Sequence, residues 1–89
     1  MAKFYVGATV CIRVNIRDID TGNYVDADSI KITISSGGVI KVDAADMIKT
    51  GEGIYAYYYN ATAKGFYQYT ITGIKDAKNT VERGTFEVV

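Results

Sequence analysis

The sequence predicts an all-β domain, a sandwich or a barrel, and three observations carry that expectation. Apolar and polar residues alternate with period two along most of the chain, whereas helical spacing is scarce. Turn-forming residues recur about every ten positions, the rhythm of short antiparallel strands. Seven aromatic rings fall within GIYAYYYNATAKGFYQYT, residues 53 to 70, at spacings that sort them between the two faces of strands.

The elements follow in chain order. FYV reads as a short terminal strand. In TVCIRVNIRD, residues 9 to 18, Val10, Ile12, Val14 and Ile16 alternate with Thr9, Cys11, Arg13, Asn15 and Arg17, which predicts a half-buried strand with a polar outer face. SIKITIS repeats the pattern, with Ile30, Ile32 and Ile34 inward and Lys31, Thr33 and Ser35 outward. SSGG, residues 35 to 38, predicts a hairpin turn, because glycine takes positive φ without steric cost. VIKVD then reads as a short strand at a sheet edge. AADMIK, residues 44 to 49, is the one place a helical turn would fit, and a turn or short strand is expected instead. After TGEG come the strands IYAYYYN and FYQYTITG, a turn at KDAKN, and a closing strand ending in TFEVV. No linker or repeat interrupts this order, so residues 1–89 read as a single domain.

Composition narrows the function. Ten basic residues balance ten acidic ones, which argues against a nucleic-acid partner. No apolar run approaches the ~20 residues that cross a bilayer, and the start lacks the apolar stretch of a signal peptide, so no membrane partner is expected. Cys11 is a single cysteine and histidine is absent. The usual general base and commonest metal ligand are therefore missing, and nothing activates the thiol. The chain is expected not to be an enzyme and to need no cofactor. RDIDTGNYVDADS brings together Asp18, Asp20, Asp26 and Asp28 and opens like a calcium loop. Gly22 comes too early for that loop, and Ser29 stands where its bidentate glutamate belongs. A solvated connection using Asp and Gly for turn geometry is the expectation. NAT, residues 60 to 62, matches a glycosylation acceptor, which matters only in a secretory pathway.

Taken together, VGATVCIRVNIRDIDTGNYVDADSIKITI, GEGIYAYYY, KGFYQYTITGI and GTFEV resemble immunoglobulin-like sandwich modules of bacterial and viral type. Such modules resemble the invasin-like and macroglobulin-like repeats of surface proteins, and similar ones decorate tailed-phage particles. The resemblance covers nearly the whole chain, and its landmarks are the long second strand and two G-x-Y signals. It implies an immunoglobulin-like β-sandwich of about seven antiparallel strands in two sheets, with Tyr55 inward. It also implies that Tyr67 is a tyrosine corner, its hydroxyl bonding backbone near NATAKG. The cysteine pair and core tryptophan of antibody domains are absent.

On that layout, 54–59 and 66–72 lie in different sheets and NATAKG crosses between them. Tyr55, Tyr57, Tyr59, Tyr67, Tyr69 and Ile71 are expected inward, while Tyr58 and Phe66 are left outside. Tyr58 is expected among Cys11, Arg13 and Asn15, and an exposed tyrosine beside arginine suits a protein interface. Phe4 and Tyr5 join the candidate contact residues because proline, a common guard of sheet edges, is absent and the terminal strands FYV and TFEVV could pair with another chain. The expected partners are a capsid or tail protein or copies of the chain itself. The expected role is a small virion protein, a capsid decoration or tail component made in the host cytoplasm. The alternative is an adhesion or carbohydrate-binding module cut from a larger cell-surface protein.

Overall fold

The computed structural model describes residues 2–76 and 78–89. Eight strands run in the order β1 (Ala2–Phe4), β2 (Thr9–Asn15), β3 (Ser29–Ser36), β4 (Val39–Asp46), β5 (Ile48–Gly51), β6 (Ile54–Asn60), β7 (Gly65–Lys75) and β8 (Lys78–Val88). One sheet has the order β1-β8-β7-β3-β4 and the other β2-β6-β5.

The alternating segments form strands because their branched side chains fit a pleated, half-buried surface. Val10, Ile12 and Val14 of β2 and Ile30, Ile32 and Ile34 of β3 are all buried. A slip of one residue would turn each set to water, so burial pins the register. β2 accordingly pairs with β6 without interruption, from Thr9 opposite Asn60 to Asn15 opposite Ile54. The glycine turn is present: Ser36 faces Val39 across Gly37 and Gly38, whose φ values are 58° and 80°. β4 lies at a sheet edge as expected but is longer than a short strand. It carries two register shifts against β3, and Ala44 has a φ of 47° with its N–H bonded to Thr33 Oγ1 at 3.2 Å. AADMIK is strand and crossing: β4 ends at Asp46, Met47 is buried, and β5 starts in the other sheet.

The core between the sheets has an aromatic end and an aliphatic remainder. Tyr67 and Phe86 stack at 5.0 Å with planes 1° apart, Tyr59 tilts against both, and Phe4 meets Phe86 edge-on at 6.0 Å. Buried hydroxyls need partners. Tyr67 Oη donates to the Ala63 carbonyl at 2.7 Å, the corner bond that the resemblance implies, and Tyr55 Oη accepts from Ala27 N–H at 3.1 Å.

Four expectations change. There are eight strands rather than about seven, and β1 runs parallel to β8, with Ala2, Lys3 and Phe4 opposite Phe86, Glu87 and Val88. TFEVV is therefore no open edge, because β8 has β7 on one side and β1 on the other. The strand at the start is Ala2–Phe4, so Tyr5 and Val6 of FYV lie beyond it. Pairing between the two ends of the chain leaves no trace in local periodicity. The KDAKN turn joins Lys75 to its partner Lys78, while Ala77 lies outside the described residues.

Candidate protein-contact surfaces

Strand alternation leaves the outer face of the three-stranded sheet to Thr9, Cys11, Arg13 and Asn15 of β2, all exposed, and to Tyr58 of β6. Tyr58 is 51% exposed and lies directly opposite Cys11. Arg13, opposite Ala56, is its diagonal neighbour, as is Thr9, which donates through Oγ1 to Asn60 Oδ1 at 2.9 Å. Asn15 pairs with Ile54. It stands four positions from Cys11 along the strand, about 13 Å away. The Tyr58 neighbourhood is thus Thr9, Cys11 and Arg13, with Asn15 at its margin. Arg13 forms no ion pair among the described residues, where Lys3, Lys31 and Lys49 each do.

The other candidates lie elsewhere. Phe66, 63% exposed, stands on the outer face of the five-stranded sheet opposite Glu87, beside the Lys3–Glu87 pair. A shallow hollow of about 380 Å³ follows along that face, lined by Gln68, Thr70, Arg83 and Thr85 over the backbone of Tyr69 and Gly84. Tyr5 is at the rim, 79% exposed. Phe4 is half-buried against Phe86, because β1 turns its ring into the core, so it serves packing rather than an outer surface. The six candidate residues therefore form no single patch.

The acidic connection is built by its own carboxylates. Asp18 Oδ1 accepts from the N–H of Thr21 at 3.1 Å and of Asp20 at 2.8 Å, and these bonds, that from Thr21 foremost, hold its carboxyl below the usual pKa. Asp26 accepts from Lys49 Nζ at 2.7 Å and from Gly53 N–H at 2.9 Å, and the same two partners, Lys49 first, lower its pKa. Asp28 accepts from Asp76 N–H at 3.0 Å. Asp18 thus closes its own turn, Asp26 ties the connection to β5, and Asp28 ties it to the turn after β7. Among the described residues no three acidic or cysteine side chains gather around a common point.

No family model matches the chain, and no curated protein matches it in sequence. Among solved structures, the titin M3 domain matches 98% of this chain and 85% of its own, with a TM-score of 0.58 and 18% identity. The fold is an immunoglobulin-like β-sandwich. The endo-beta-1,4-mannanase from Thermotoga petrophila also matches, over 100% of this chain, with a TM-score of 0.61 and 15% identity. The chain spans 18% of that enzyme, so the likeness is to one portion of a larger protein and extends to fold alone.

Proposed function

We propose that the protein is a non-enzymatic immunoglobulin-like module that works by protein–protein contact, as a small virion protein decorating a capsid or forming part of a tail. The supporting observation is Tyr58, an exposed ring on the outer face of the three-stranded sheet, diagonal to Arg13, which has no ion pair among the described residues. Tyrosine and arginine are the residues that carry binding energy in protein interfaces. The virion setting rests on the resemblance of the long second strand and the G-x-Y signals to modules of tailed-phage particles. Co-sedimentation with purified particles tests the reading. Wild-type protein is expected to pellet with them, and Tyr58→Ala to weaken binding by about 1–2 kcal/mol while leaving the thermal midpoint unchanged. Protein that stays in the supernatant at every particle concentration, as an inert monomer, contradicts it.

A second reading is an adhesion module that contacts carbohydrate. Phe66 and the hollow lined by Gln68, Thr70, Arg83 and Thr85 favour it, since one ring beside amide, hydroxyl and guanidinium groups suits a sugar. The mannanase likeness sets a similar module within a protein whose name implies a polysaccharide substrate. Specific binding on a glycan array that disappears with Phe66→Ala decides for this reading, and a blank array against it.

A further inference from the structure

Four strands lie at sheet edges: β1, β4, β2 and β5. Three are poor templates for another strand. β1 has three residues, β5 has four and a register shift, and β4 is shifted twice with Ala44 at positive φ. β2 differs: its seven residues pair regularly with β6, with no proline, bulge or inward-pointing charge.

Hydrogen-bond alternation shows which groups of β2 are free. Ala8 accepts from Ala61 N–H at 3.0 Å and Ile16 donates to Gly53 at 2.7 Å, so even-numbered residues face β6. The N–H and C=O of Thr9, Cys11, Arg13 and Asn15 therefore point away from it, and no other described segment supplies them a backbone bond. Beside this edge the two sheets gape. A hollow of about 130 Å³ lies among Phe4, Val10, Ile12, Tyr69 and Phe86, and a smaller apolar one of about 10 Å³ among Val14, Ile16, Ile30 and Ile71.

We propose that the β2 edge receives an extended segment of a partner polypeptide as a fourth strand of the β2-β6-β5 sheet. The row of backbone donors and acceptors specifies a β-strand. The larger hollow specifies an apolar side chain of that strand turned between the sheets, and strand periodicity puts its apolar neighbours at alternate positions. Arg13 specifies a carboxylate opposite it on the outer face. This charge disfavours the β2 strand of a second copy as the occupant: β2 has no acidic residue to offer, whichever register two β2 strands adopt. The inference rests on the protein-contact reading and names the segment chemistry it requires.

The test uses a short synthetic peptide alternating valine with threonine around one central glutamate, its counterpart with lysine in that place, and fluorescence anisotropy. The glutamate peptide is expected to bind about 2–5-fold more tightly, and Arg13→Glu to reverse the order. Cys11→Pro removes an N–H that points away from β6, so the sheet keeps its ladder while the peptide loses about 5-fold or more in affinity. Should Cys11→Pro fail to fold, the Arg13→Glu reversal decides alone. Absence of binding by either peptide, equal affinities that ignore Arg13→Glu, or a wild-type protein already paired with itself through β2 overturns the proposal. Charge-dependent peptide binding without particle binding would preserve the edge site and remove the virion reading; particle binding with indifferent peptides would do the reverse.

Discussion

At Gly53 a side chain has nowhere to go. A Cβ there would lie 2.7 Å from the Ile16 carbonyl oxygen and 2.9 Å from both the N and O of Val25, and φ is +68°. Gly53→Ala is expected to cost about 2–4 kcal/mol by urea denaturation, from backbone strain and overpacking combined. Gly38, also at positive φ but with open space around it, is the control, and Gly38→Ala should cost only about 1 kcal/mol. Tyr67→Phe deletes the bond to Ala63 while keeping the ring stacked on Phe86, so a loss of about 1 kcal/mol is expected in the same assay. Asp26 supplies a pH signature. Its folded pKa lies below the ordinary 3.8, so its contribution is present above that value and disappears as pH falls through the lower one. Lys49, raised above 10.5 chiefly by the same hydrogen bond, keeps its contribution until pH rises through its folded value. The thermal midpoints of wild type and Asp26→Asn should therefore differ at neutral pH and converge in acid below the folded Asp26 value.

At the scale of elements, the strands that could be read locally are those whose burial is one-sided. β2 and β3 alternate cleanly, so their inward faces were evident before any partner was known. The inward set on β7 followed from Gln68, Thr70 and Thr72 opposite it, and the assignment of Tyr67 and Ile71 to the core agrees with their burial. What local pattern could not show was who pairs with whom. The parallel seat of β1 on β8 depends on residues more than eighty positions apart, and the ring of Phe4, a contact candidate in the sequence, is held there by Phe86. Gly84 is a second case. It faces Tyr69 across β7 and β8, and a Cβ there would run into the tyrosine ring, a relation visible only once the register is known. Phe4→Ala should cost about 1–3 kcal/mol, below a fully buried ring, because β1 leaves it half exposed.

Across the whole molecule, two sheets of unequal size enclose a core that consumes most of the rings, leaving the outer faces and one long regular edge for other work. The contact candidates were partly legible for this reason: alternation puts Tyr58 and Phe66 outside, while the sheet order that makes β2 an open edge was hidden. Residue-resolved amide exchange of the free protein tests the account most directly. The amides of Val10, Ile12 and Val14 should exchange slowly, those of Cys11 and Arg13 fast, and those of Tyr67 to Ile71, between β3 and β8, slowly without alternation. Cys11 and Arg13 as protected as Ile12 in a monomer, or an alternating pattern through β7, would contradict it.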